Sequence, residues 1–299
     1  MGSHTGRGGQ QHINAKNNFI AAKEQGYNKD LYYQMTWRIP QLDRGTTVVM
    51  DIDSSMRPNS IRYASAMIIN GIYDVNVKHR DSLYYGFRYT NEFGNSLPAF
   101  AKNNHISFQQ FDMYKFNGST AKVLVVSQPW HGCMRVVDSS NRDYMSLSPR
   151  TRLAASISEP TVIHINDSTR VNNAWLNVLY QHGNTKCWCY YFEKAELARQ
   201  QGNWDKLTGS IEEAIGKKLK PDNDEEWVTY IEGCLHTKKY NEIENVLNKE
   251  VKTVPAKTFI YNMLKKWSVT GTDVDKQSIA KLMAMPFAYR PGNIKDENK

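Results

Sequence analysis

The chain has 299 residues, a formal net charge of +8, 40% hydrophobic and 11% aromatic residues, which is the composition of a folded protein large enough for two cores and excludes a disordered one. Its longest aliphatic runs are short, such as Val123-Leu124-Val125-Val126, so nothing approaches the ~20 apolar residues of a membrane span, and no charged-then-apolar leader opens it. Residues 1–182 carry 19 Lys and Arg against 13 Asp and Glu, residues 183–299 carry 19 against 17, and neither half holds a dense basic cluster, so a solvated, mildly basic surface is expected and nucleic acid is not.

In chain order, Met1 to His4 reads as a cloning remnant, and residues 1–25 together as a flexible leader. An α/β domain is expected over 26–182. A turn at Asp43-Arg44-Gly45 precedes the β-branched run Thr46 to Met50, which reads as a buried strand ending at Asp51. Ile61 to Ile69 is apolar at helical spacing, and Leu83 to Tyr89 is aromatic and strand-like. In "FDMYKFNGSTAKVLVVSQ", Asn117-Gly118 sits between two strand-like runs and predicts a hairpin turn there. Met134 to Val137 adds a further strand. Strands interleaved with helices predict a mixed sheet with at least one antiparallel pair.

From 183 to 290 the pattern is helical, with a loose polar tail over 291–299. Tyr191, Ala195, Ala198, Trp204, Leu207, Ile211 and Ala214 form an apolar stripe that Gln201-Gly202-Asn203 interrupts, predicting two antiparallel helices. The pattern returns at Trp227, Tyr230, Ile231, Cys234, Tyr240 and Ile243, with Trp204 and Tyr240 in equivalent positions 36 residues apart. That period is near the ~34 residues of the tetratricopeptide repeat, so hairpins of that kind are expected. Trp188, Tyr191, Ala195, Ala198, Gly202, Trp204 and Leu207 are then packing and turn positions, with Trp204 buried against the Tyr191 to Ala198 face. Pro255 opens a further helix to Trp267, and another runs from Asp273 to Met285.

Three places carry candidate chemistry. Asp51-Ile52-Asp53 ends a buried strand, where two carboxylates can hold Mg²⁺ or Mn²⁺ with a phosphate substrate, as metal-dependent sugar transferases do. The bland reading is two acids capping a loop beside Ser54 and Ser55. His131-Gly132-Cys133 offers a Cys–His pair, against which stands a tight turn with no supporting Asn or Asp. Cys187-x-Cys189 is too close for ordinary zinc spacing. One of these cysteines could bridge to Cys133 and tie the α/β domain to the first helix, or all could be buried thiols. Asn117 and Asn166 fit the glycosylation sequon, a match expected by chance in a chain of this length.

The segments "LYYQMTWRIPQLDRGTTVVMD", "FNGSTAKVLVVSQPWHGCMRVVD" and "CWCYYFEKAELARQQGNWDKL", in that order, resemble the soluble C-terminal region of large bacterial polytopic membrane proteins described as glycosyltransferase-like (GT-C type) or as hypothetical. The resemblance implies a longer natural chain with transmembrane helices upstream of this one. It also implies a non-catalytic extracytoplasmic domain that binds a glycan, a lipid-linked sugar or a partner protein and uses no cofactor. Asp51 matches the family's strand-end acid and Asp53 does not carry over, while Cys133 and Cys189 fall in matching segments, which implies a shared structural role. The alternative is a metal-dependent glycosyltransferase or hydrolase using Asp51 and Asp53.

Overall fold

The computed structural model describes residues 26, 29–52, 61–74, 82–92, 104–110, 114–129, 132–140, 143–165, 173–180, 182–271 and 274–285. The fold is mixed α/β, and the chain divides into two units. Met1–Gln128 with Ile157–Thr185 forms one, and Pro129–Ser156 with Lys186–Lys299 forms the other. Residues 129–156, placed with the α/β domain in the sequence reading, group with the C-terminal helices.

The α/β unit includes helices α1 (residues 29–38) and α4 (Asn173–Tyr180) and a short antiparallel pair, β1 (Gln41–Leu42) with β9 (Ile163–His164), and is built on strand β2 (Thr47–Ile52). Strands β4 (Gly86–Tyr89) and β7 (Val123–Gln128) flank it, both parallel to it. Val48, Val49 and Met50, and Val123 to Val126, are fully buried. A parallel strand covered on both faces needs such unbroken apolar runs rather than alternation. Gly45, with φ +84°, supplies the left-handed turn that leads into β2. Helix α2 (Ile61–Tyr73) is the crossover from β2 to β4. Its buried Asn70 fastens it there: Nδ2 donates to the carbonyls of Ala66 and Tyr85 at 2.8 and 2.9 Å, and Oδ1 accepts from the amides of Tyr84 and Tyr85 at 2.9 and 3.0 Å. Every hydrogen-bonding position of that amide is used, as burial demands.

A second sheet pairs β6 (Tyr114–Ser119) with β5 (His105–Gln110) antiparallel and with the two-residue β3 (Ser82–Leu83) parallel. This corrects the expected hairpin. Asn117 and Gly118 lie inside β6, paired with Ser107 and Ile106, and the turn falls at residues 120–122. β6 and β7 then enter different sheets. Gly118 is required by contact rather than by turning, because an added Cβ would lie 2.4 Å from the Gly45 carbonyl oxygen. The expected strand from Leu83 to Tyr89 is likewise split between β3 and β4.

In the other unit, the short strand β8 (Arg135–Val137) and helix α3 (Pro149–Ala154) precede six helices. These are α5 (Trp188–Gln200), α6 (Trp204–Gly216), α7 (Trp227–His236), α8 (Tyr240–Lys249), α9 (Val254–Thr270) and α10 (Lys276–Ala284). Gly202, at φ +66°, ends α5, and the Asn203 amide returns to the Ala198 carbonyl at 2.9 Å. The Asn203 side chain then caps α6 by accepting from the Lys206 amide at 3.1 Å. The turn between α7 and α8 repeats this geometry with Lys238 at φ +59° and the Lys239 amide on the Cys234 carbonyl at 2.9 Å. Helix α7 approaches α6 closely at Gly233, where an added Cβ would lie 2.4 Å from Leu207 Cδ2.

Trp204 departs from expectation. It is half-buried and stacks on His236 of α7, with ring centroids 3.8 Å apart and planes 3° from parallel. Trp204 is the first residue of α6 and His236 the last of α7, so the ring pair sits at the helix ends rather than between the helix faces. Leu207, three residues on, is fully buried, with Cδ2 against Gly233 of α7. We therefore expect Leu207→Ala to cost ~2–5 kcal/mol, the range for buried leucines. Trp204→Ala should cost about 0.5–1.5 kcal/mol, the worth of an aromatic ring pair. Urea unfolding of the two variants checks the order, which is the reverse of what aromatic size alone suggests.

Candidate functional site

Asp51 stands near the carboxyl end of β2, half-buried, with Oδ1 accepting from Thr90 Oγ1 at 2.8 Å. Within the α/β unit, the connection through α2 puts β4 on one side of β2, and the chain later returns to put β7 on the other. Such a reversal opens a crevice at the carboxyl ends of the strands, where open α/β sheets bind ligands. Asp51 pairs in register with Ser127, and Ile52 with Gln128; Ser127 and Gln128 are both buried. Asp53 lies outside the described residues, as do Trp130, His131 and Asn166. Among the described residues no three His, Cys, Asp or Glu side chains gather as a metal site. Asp51 alone supplies one carboxylate, so a cation at the strand end would need further ligands from elsewhere.

The cysteines define a second place. Cys133 and Cys189 form a disulfide with Cα atoms 5.2 Å apart. Because 129–156 belongs to the helical unit, this bridge is internal to that unit and does not join it to the α/β domain. Cys133 is thereby removed from any Cys–His nucleophile pair. Cys187 stands outside the bridge at the N-cap of α5, and Cys234 is buried on α7. Trp188, Tyr191, Ala195 and Ala198 are buried along α5.

Beside the disulfide lies Glu226, fully buried. Its Oε1 accepts from the Cys133 amide and its Oε2 from Trp188 Nε1, both at 2.7 Å. The Cys133 sulfur is 3.2 Å from Oε2. A disulfide sulfur has no hydrogen to donate, so this is a contact between sulfur and carboxyl rather than a thiol hydrogen bond. Burial pushes the Glu226 carboxyl up to about 7, against the pull of the Arg135 guanidinium and of its two donors. Arg135 is itself buried, with its guanidinium 4.1 Å from the Tyr144 ring centroid and 5.2 Å from that of Phe192. A further buried carboxylate, Glu196, accepts from Arg199 Nη2 at 3.2 Å and from Thr229 Oγ1 at 2.5 Å.

The sequence reading missed this network. Glu226 sits in "DNDEEW", which looks like a solvated acidic run. The available signal was Glu193 and Glu196 flanking Ala195 inside a predicted apolar stripe.

The third place is a cleft of about 700 Å³ among α6, α7 and α8, lined by Glu212, Tyr230, Lys238, Lys239, Tyr240 and Glu242 with others. Glu212 Oε1 accepts from Lys239 Nζ at 2.6 Å and from Tyr230 Oη at 3.3 Å. The Glu212 carboxylate holds the Lys239 ammonium above its usual range, and burial raises the Tyr230 hydroxyl. The positive φ at Lys238 aims the α7–α8 turn so that Lys238 and Lys239 reach this wall. Two acids and two bases balance, leaving a cleft with polar groups of both kinds and tyrosine rings.

Comparison of the chain with protein-family models, curated proteins and solved structures finds no match.

The raised Glu226 value fixes a pH dependence. The native state holds this proton to about 7 while the unfolded chain releases it near 4.5, so the stabilisation is complete below 4.5 and is lost as pH rises through 7. Urea midpoints should fall across that window, with a slope from this one proton of at most ~1.4 kcal/mol per pH unit. Glu226→Gln should remove that part of the slope. A variant whose profile parallels the parent's from pH 4.5 to 8 would show that Glu226 does not titrate there.

Proposed function

We propose that the chain is a non-catalytic binding domain of a larger bacterial, glycosyltransferase-like membrane protein, acting on the extracytoplasmic side and holding a glycan or the sugar head of a lipid-linked sugar in the helical cleft. The observation that carries this reading is the cleft itself. Its volume lies within the range of small-ligand sites. The Glu212–Lys239 pair offers an acceptor and a donor side by side, which suits the vicinal hydroxyls of a sugar, and Tyr240 offers a ring for its apolar face. The α5–α6 and α7–α8 hairpins, with matching left-handed turns, support a tetratricopeptide-like arrangement. The Cys133–Cys189 disulfide suits an oxidising compartment. No helix among the described residues is long and apolar enough to cross a membrane.

Calorimetry with neutral oligosaccharides and a water-soluble prenyl-phosphate sugar tests this. Saturable binding should weaken by roughly tenfold or more in Glu212→Gln and in Tyr240→Ala, the worth of a hydrogen bond or a stacked ring. Absence of binding across the panel, or binding indifferent to both changes, sinks the sugar reading in favour of a protein partner.

The strand-end position of Asp51 favours one other reading, a metal-dependent transferase or hydrolase. We expect titration with Mg²⁺ and Mn²⁺ to give no saturable heat that Asp51→Ala removes. Micromolar binding lost in that variant would sink the non-catalytic reading.

A further inference from the structure

We propose that the Cys133–Cys189 disulfide is a directional thiol–disulfide exchange centre, in which an external dithiol attacks Cys189 and Glu226 delivers a proton to the departing sulfur of Cys133. Three observations carry it, none drawn from the sugar cleft. The two sulfurs differ in access, since Cys133 is fully buried and Cys189 is partly exposed on the first turn of α5. An entering thiolate therefore meets Cys189, and attack there makes Cys133 the leaving group. A buried thiolate without a counter-charge is a poor leaving group. The Glu226 carboxyl, 3.2 Å from that sulfur, supplies the missing proton. Its orientation is fixed by the Cys133 amide on one oxygen and the Trp188 indole on the other, so the oxygen facing the sulfur cannot turn away.

The chemistry balances. The dithiol's thiolate forms a new S–S bond to Cys189 as the Cys133–Cys189 bond breaks. The electron pair stays on Cys133, which takes the Glu226 proton and becomes a thiol, leaving the carboxylate. The second thiolate of the dithiol then attacks its partner sulfur in the mixed disulfide and releases Cys189 as a thiolate, which takes a proton from solvent. The dithiol is oxidised to a disulfide and the protein disulfide is reduced to two thiols. Arg135 faces the new Glu226 charge and favours it, and Asp222 opposes it.

The test uses the whole oxidised chain. A brief reaction with glutathione, acid quenching, alkylation and peptide mapping locate the first mixed disulfide, which we expect at Cys189 over Cys133 by at least tenfold. Reduction rates with dithiothreitol, corrected for its thiolate fraction, should decline as pH rises through about 7, where Glu226 loses its proton. Glu226→Gln, which keeps an acceptor for Trp188, should reduce roughly tenfold or more slowly at pH 6 and show no such decline. A glutathione adduct at Cys133 overturns the direction. A flat corrected profile in the native chain overturns the role of Glu226, and that readout stands even where the glutamine variant fails to fold.

Discussion

The helical unit depends on one buried carboxylate. Glu226 binds the Cys133 amide, the Trp188 indole and, through space, Arg135, so one side chain fixes the 129–156 segment and the start of α5 to the start of α7. Burying such a group unpaired would cost several kcal/mol. Its two short donors and its retained proton are how the fold meets that cost. The disulfide at the same point adds a covalent tie over a sequence separation of 56 residues. Both devices act on a segment that has little secondary structure of its own beyond β8 and α3.

The α/β unit solves a similar problem with a neutral group. The carboxamide of Asn70 is fully satisfied and charge-free, and it fixes α2 to the backbone just before β4. That placement sets β4 beside β2, and with β7 on the other side it brings Asp51, Thr90 and Ser127 together at the carboxyl ends of the strands. No three metal-ligating side chains gather there among the described residues. The helical cleft, by contrast, brings charged groups of both signs and two tyrosines to one opening. A balanced set of donors and acceptors suits a neutral polar ligand better than a lone acid does, and on that ground the cleft carries the functional reading.

The two places also differ in how they could be seen in advance. Asp51 was visible because a strand of β-branched residues ends in an acid. The cleft was not, because Glu212 is an ordinary surface residue of α6, Lys239 lies in the α7–α8 turn and Tyr240 opens α8. Only the left-handed turn at Lys238, which no glycine announces, carries Lys239 to Glu212.

The sequence by itself determined the elements whose signals are local. The apolar runs of β2 and β7, the stop at Gly202 with the cap at Asn203, and the start of α9 at Pro255 all follow from side-chain shape and backbone preference within a few residues. What depends on distant neighbours was decided only by the tertiary structure. Asn117-Gly118 has the residues of a hairpin turn yet runs on as strand, because Gly118 must pass close to the Gly45 backbone and β5 offers β6 a partner. Trp204 has the bulk of a core residue yet stacks half-exposed on His236. Residues 129–156 join the helices because Glu226 and Cys189 hold them, and their own sequence encodes neither contact. Periodicity reports which face of an element is apolar, whereas which element covers it depends on contacts formed across the chain.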